Sequence, residues 1–237
     1  MKRAIELSCD PQNPIRALMS LREDSVEVES IGTEVAFEAL HCLLSDYDFD
    51  TLLDVGSGRG EHARAFRFMG RDVTTLDPVF DADIKEDFLT ADLPQFDVVW
   101  CSHVLEHQRD IGRFIDKMIT CCKPNGLICI SVPPEINPHF LLCHPNQFSV
   151  GLLLYHLILA GVDCRNVRAL TYGYNVSVIV PNVKNGLPRQ SWAHEMECAE
   201  FFPTEITRHN NQLFGPLRSL NWESKLKIEP HMNSHLS

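Results

Sequence analysis

The stretch Thr51 to Gly60, TLLDVGSGRG, decides the fold. Its first half is a short apolar run that ends at glycines, as expected of a buried parallel strand feeding a tight turn. Glu61 to Met69 follows with helix-forming residues, and Gly70 supplies the left-handed stop. Arg71 to Leu76 reads as the next strand and ends at Asp77-Pro78, so the unit is strand, helix, strand.

The same alternation continues downstream. FDVVWC, Phe96 to Cys101, has the β-branched centre of another buried strand, and Ser102 to His107, SHVLEH, follows it without a spacer. Ile111, Phe114, Ile115, Met118, Ile119 and Cys122 then recur on one face of a helix, with Asp110 placed to cap it and Lys123-Pro124-Asn125-Gly126 to stop it. Leu127 to Val132 is a further strand, and a polar and aromatic loop leads from it into the helix SVGLLLYHLILAG. Val167 to Tyr172 and Asn175 to Val180 are two strands closed at Tyr172-Gly173-Tyr174. The pattern predicts an α/β fold: a doubly wound, mostly parallel sheet with an antiparallel edge strand, spanning residues 31–181. Upstream, Gly32 to Leu44 carries a helical stripe, while residues 1–30 are polar and weakly patterned and read as an N-terminal arm. Residues 182–237 read as a C-terminal extension, helical over Trp192 to Phe202 and ending in a loose tail, EPHMNSHLS.

With 237 residues and 44% hydrophobic content, the chain supports one substantial core. Nine cysteines, scattered without a C-x-x-C pair and partly inside apolar runs, suggest reduced, buried thiols and a cytoplasmic location. The start, MKRAIELSCDPQNP, is too poor in apolar residues for a secretory signal. Gly151 to Val162 is broken by Tyr155 and His156 and is too short to span a bilayer, so no membrane insertion is expected. A formal charge of -11 without any Lys and Arg cluster argues against a nucleic-acid partner.

Asp54-Val55-Gly56-Ser57-Gly58-Arg59-Gly60 stands where a strand meets a helix, the place at which an open α/β sheet binds its ligand. A nicotinamide dinucleotide turn sets its third glycine three positions after the second, whereas here the interval is two. Asp54 and Glu61 add carboxylates that repel a pyrophosphate and suit a cationic ligand. S-adenosylmethionine (SAM), with an ammonium, a sulfonium and no phosphate, has that chemistry.

The segment D-V-G-S-G-R-G resembles motif I of the class I SAM-dependent methyltransferases, small-molecule type. The likeness extends over roughly residues 50–180, through Asp77, Asp87-Phe88 before the family's fourth strand, FDVVWCSHVLEH and LICISVP. It implies a Rossmann-like methyltransferase fold with SAM as cofactor. Asp77, followed by Pro78, would accept both ribose hydroxyls, and Gly56, Ser57, Gly58 and Gly60 would admit the methionine and ribose portions. Asp54 would orient the amino group, Asp87 would meet the adenine amine with Phe88 beside the ring, and Ser102 would sit where adenosine and acceptor meet.

SHVLEH also spells H-x-x-E-H, a zinc-ligand pattern that needs both histidines on one helical face and a third ligand from elsewhere. Because the segment begins at a strand end rather than within a long helix, the zinc reading is set aside. Cys143 with His139 and His144 forms no recognised metal spacing, and no metal is expected. His103 or His107 would instead face the acceptor, either as a base for an oxygen or nitrogen nucleophile or as a hydrogen-bonded cap on the following helix. His144, in an H-x-x-x-F-S stretch with Phe148-Ser149, is similar to one found before this helix in small-molecule methyltransferases, and its loop is expected to wall the substrate site. Val132-Pro133-Pro134-Glu135 lacks the amide or acid and the aromatic residue of the amino-directed nucleic-acid enzymes. The expected acceptor is a small molecule, a glycan or a lipid-linked group. A SAM-binding subunit without catalysis is the alternative, and an NAD-linked oxidoreductase comes after it. The oligomeric state is left open.

Overall fold

The computed structural model describes residues 2–10, 13–134, 142–187, 195–209, 212–214 and 218–222. Its main sheet is built from β4 (Thr51–Val55), β5 (Asp72–Leu76), β6 (Phe96–Ser102), β7 (Cys122–Val132), β8 (Arg168–Tyr172), β9 (Asn175–Pro181) and β12 (Ser219–Leu220). The spatial order is β12-β8-β9-β7-β6-β4-β5. Pairings among β5, β4, β6 and β7 are parallel, and those of β7 with β9, β9 with β8 and β8 with β12 are antiparallel. The order reverses direction beside β4 and β6, which puts a crevice at their C-terminal ends.

Helices cover both faces. α1 (Phe37–Asp46) and α2 (Glu61–Phe68) lie on one, α3 (Ile111–Cys121) and α4 (Val150–Leu159) on the other. Alternate side chains of each strand divide between two cores, as the strand period of two requires. Leu52, Val98 and Trp100 join the cluster under α1 and α2, while Leu53, Val99 and Cys101 join the one under α3 and α4. Asp110 caps α3 by accepting from the Arg113 N–H, and Ser149 caps α4 by accepting from that of Leu152. Among the described residues eight cysteines are thiols, seven of them buried and Cys143 exposed. No helix among them is long and apolar enough to cross a membrane.

The structure corrects the sequence reading at four places. The supposed N-terminal arm is a three-stranded antiparallel sheet of β1 (Arg3–Asp10), β2 (Asn13–Glu23) and β3 (Val26–Thr33). Met19, Leu21 and Ile31 are each at most 4% exposed and pack into the core under α1. At about 1.5–3 kcal/mol for each large apolar side chain buried, that packing holds the sheet onto the domain. α1 therefore starts only at Phe37, because β3 runs to Thr33 and Ala36 adopts a left-handed φ of 52°. Counting Phe96 to Cys101 as the family's fourth strand implied one more between β5 and β6, but among the described residues Ile84 makes only a single parallel bridge to Leu76 there. Finally, the extension contributes an edge strand, β12, to the main sheet and a separate hairpin of β10 (Thr207–His209) and β11 (Gln212–Phe214). Its helical stretch is reduced to α5 (Glu195–Cys198) and one 3-10 turn, Ala199–Phe201. The expected start of that helix at Trp192, the tail from Glu229 and His139 of the loop lie outside the described residues.

Candidate active site

The glycine turn hangs from the end of β5: the N–H groups of Gly56 and Ser57 both donate to the Leu76 carbonyl, at 2.7 and 3.2 Å. Gly56, Gly58 and Gly60 all take left-handed φ values, 69°, 54° and 71°. A Cβ on Gly56 would stand 2.3 Å from Cγ2 of Val104, so this glycine answers to packing. A Cβ on Gly58 or Gly60 would meet nothing within 4 Å. Backbone that is bare on an open side is what a closely lying ligand needs.

Asp77 closes the turn from the tip of β5. Its Oδ2 accepts from the Gly58 N–H at 2.9 Å, and Oδ1 accepts from the N–H groups of Val79 and Phe80, each at 2.8 Å. Burial opposes its ionisation, but those three N–H groups outweigh burial and hold its pKa below the usual carboxylate range. Two donors fill the lone pairs of Oδ1, and Oδ2 keeps one. In this arrangement Asp77 has room for one ribose hydroxyl rather than the two expected. Pro78 lies exposed in the following turn.

Asp54 is 2% exposed, and its Oδ2 has no hydrogen-bond partner among the described residues. Burial pushes its pKa up to about 7, with Arg67 pulling it down and Asp77 adding to the rise. The hydroxyl oxygens of Ser57 and Ser102 are also buried without partners. Buried polar atoms in folded proteins are nearly always satisfied, so such a set at the ends of β4 and β6 marks a place where a polar ligand completes the bonding. Asp87 and Phe88 are placed differently. Asp87 is exposed and spends Oδ1 on the Leu89 N–H at 2.8 Å. Phe88 is 4% exposed and packs on Phe114 with ring centroids 4.8 Å apart, inside the core rather than beside a ligand ring.

The three candidate histidines come together beyond β6. His103 takes a left-handed φ of 54°, unusual for a residue with a Cβ, where the strand breaks into the 3-10 turn Leu105–His107. Its Nε2 lies 2.9 Å from Oδ1 of Asn175, which is fully buried at the start of β9. Asn175 has no freedom to flip, because Nδ2 donates to the Glu34 carbonyl and Oδ1 also accepts from the Ala36 N–H. His103 therefore donates from Nε2 and keeps its lone pair on Nδ1, 3.5 Å from Oε1 of Glu106. Burial lowers the His103 pKa to about 4, so the ring is neutral near pH 7. His107 donates from Nδ1 to the Cys143 carbonyl at 2.7 Å, and its ring stands 4.7 Å from that of His144. The loop carrying His144 is pinned by Asn146, whose side chain donates to the Glu106 carbonyl, and by fully buried Phe148.

Asn175 was not among the residues that the sequence picked out, and Glu106 was noted there only as part of SHVLEH, without a role of its own. A polar residue opening the apolar run NVSVIV was the one hint for Asn175, whose partner lies 72 residues away. For Glu106 the sequence shows an exposed-looking acid between histidines, whereas the side chain is 1% exposed.

A model of a methyltransferase domain family matches residues 29–202. The chain belongs to that family. Among curated proteins it is similar to the ubiquinone biosynthesis O-methyltransferase of Rickettsia conorii, 27% identical over 156 residues that make up 58% of this chain and 53% of the relative. The Rickettsia prowazekii protein of the same name is 28% identical over 44% of this chain and 48% of its own length. The chain thus spans about half the length of these curated relatives. Among solved structures, the mitomycin 7-O-methyltransferase MmcR superposes with a TM-score of 0.51 at 18% identity, covering 62% of this chain and 53% of that one. The S-adenosylmethionine-dependent methyltransferase SibL superposes with a TM-score of 0.50 at 16% identity, over 63% and 56% of the two chains. These likenesses establish the class I methyltransferase fold.

Proposed function

We propose that this protein is a SAM-dependent methyltransferase of small molecules, with an oxygen atom as the acceptor. The observation that carries the reading is the open-sided backbone at Gly58 and Gly60, flanked by the unpartnered buried oxygens of Asp54, Ser57 and Ser102. These groups fit an adenosyl amino acid: Asp54 and the seryl hydroxyls suit an ammonium, and the remaining lone pair of Asp77 suits a ribose hydroxyl. SAM bound there supplies a methyl group on a positively charged sulfur, which loses its charge on transfer.

The chain's own contribution is to align and to take a proton. Holding nucleophile and methyl in line is by itself worth orders of magnitude in rate. In this reading His103 receives the hydroxyl proton at Nδ1, and the support for it is the free lone pair there, with the carboxyl of Glu106 beside that atom. His107 and His144 stand further out, facing each other and Cys143, and line the mouth. A small-molecule acceptor is supported by the relatives' names, ubiquinone biosynthesis O-methyltransferases, and by an acidic chain that disfavours nucleic acid.

Thermal shift with SAM, S-adenosylhomocysteine and NAD tests the cofactor. Either sulfur nucleoside at about 100 times its Kd adds about 2.7 kcal/mol of apparent stability. A shift with NAD alone overturns the reading. Release of S-adenosylhomocysteine with phenolic or hydroxylated acceptors separates an enzyme from a SAM-binding subunit.

A further inference from the structure

The histidine cluster at the mouth contains a second kind of chemistry. One ring nitrogen of His107, one of His144 and Sγ of Cys143 all lie within 4.8 Å of one another. Their residues are 36 and 37 positions apart in sequence, too irregular a spacing to be read as a ligand pattern, and only the fold of the loop onto the end of β6 joins them. Behind them stands Glu106, 1% exposed, its carboxyl oxygens buried and without a hydrogen bond to any other described residue. Its Oε1 is 3.7 Å from Nε2 of His107.

We infer that His107, Cys143 and His144 form a zinc site that fastens the loop of residues 142–149 to the end of β6. The donor set is one thiolate and two imidazoles, which selects a borderline-soft divalent ion over magnesium or calcium. Tetrahedral zinc, with bonds of about 2.0–2.3 Å, holds its ligand atoms roughly 3.3–3.8 Å apart. The ligand atoms of His107, the exposed Cys143 and the half-buried His144, already within 4.8 Å of one another, need to close by about an ångström. His107 gives Nδ1–H to the Cys143 carbonyl, the orientation by which metal-bound histidines are commonly held, and this leaves Nε2 with its lone pair. Binding would release the Cys143 thiol proton to solvent. The three protein ligands tie the loop to the end of β6, so the role of the site is to order the substrate wall. It rests on the loop's place at the mouth and not on the identity of the acceptor.

The test uses the full chain, stripped with a chelator and titrated with zinc, then with cobalt as a spectroscopic probe. One equivalent should bind, and the cobalt form should show tetrahedral visible bands together with a sulfur-to-metal charge-transfer band. Cys143→Ser should abolish the charge-transfer band and weaken zinc at least tenfold, and His144→Ala should weaken it comparably. SAM affinity of Cys143→Ser, measured by calorimetry on the same preparation, should be unchanged, which separates failure of the metal site from failure of the cofactor reading. Zinc binding that is absent, or as tight in Cys143→Ser and His144→Ala as in the parent, overturns the proposal.

Discussion

Nε2 of His103 and Oδ1 of Asn175 are 2.9 Å apart, across the boundary between the parallel and antiparallel halves of the sheet. The same asparagine oxygen accepts from the Ala36 N–H, and its amide donates to the Glu34 carbonyl. One buried side chain therefore fixes the histidine tautomer and the entry to α1. Asn175→Ala leaves the buried Ala36 N–H without this acceptor, at about 1–3 kcal/mol. The urea midpoint should fall accordingly. Because His103 is then free to turn, kcat should drop while KM for SAM stays within a factor of two or three; equal loss in both would assign Asn175 to cofactor binding.

Asp77 links three backbone N–H groups of the turn, and through Gly58 it shapes the cofactor side. Asp77→Ala removes a charged acceptor worth about 1.5–3 kcal/mol for each bond it makes. SAM affinity should weaken by one to two orders of magnitude in calorimetry. An unchanged Kd would place SAM elsewhere or exclude it.

The central motif was legible because its signals are local. The residues from Thr51 to Asp77 combine a buried strand, a glycine turn and a capped helix, and the structure has each of them. The N-terminal sheet was not legible. Its plainest alternation, Val26-Glu27-Val28-Glu29, points its valines outward, 67% and 59% exposed, while the buried Ala17, Met19 and Leu21 share their run with apolar Leu18 and the hairpin turns on Asp24 and Ser25, at φ 47° and 71°, rather than on the Asn-Gly or Asp-Gly that announces such a turn. At the site, Gly56 to Gly60 and Asp77 follow from spacing, whereas the meeting of His103 with Asn175 and of His107 with Cys143 depends on contacts between distant segments. Phe88 was misplaced for a related reason: an aromatic residue after an acid looks the same in sequence whether it faces a ligand or Phe114.

Gly56 and Gly60 look alike in sequence and should respond differently to alanine. At Gly56 the new Cβ meets Val104, while at Gly60 it meets only open space. Both incur the left-handed backbone penalty, about 1–2 kcal/mol. Gly56→Ala should therefore be the more damaging to stability by about 1–3 kcal/mol, the usual cost of overpacking. Val104→Ala in the same chain should recover that excess but not the backbone cost. Gly60→Ala should spare stability relative to Gly56→Ala and still weaken SAM. A double-mutant cycle in chemical denaturation reads the coupling.

Asp54 makes stability depend on pH in a direction opposite to that of a salt-bridged acid. Its pKa is 3.8 as a free side chain and about 7 in the fold, because burial penalises the carboxylate. Below pH 3.8 the group is protonated in both states and contributes no difference. Between there and about 7 the folded protein keeps a proton that the unfolded chain has released, so stability falls as pH rises, and it levels off above the folded pKa. Over that window the loss sums to about 4 kcal/mol. Asp54→Asn removes the titration. The gap between variant and parent, both without ligand, should be small near pH 4 and grow in favour of the variant up to about pH 7, with no further change above. With saturating SAM the order should narrow or reverse, because the parent alone offers a carboxylate to the ammonium, and ligand affinity adds to the stability of the folded state. Denaturation curves at four pH values, with and without SAM, measure both effects. A gap that stays constant across the pH series would mean that Asp54 ionises normally and has a partner that the buried position does not show.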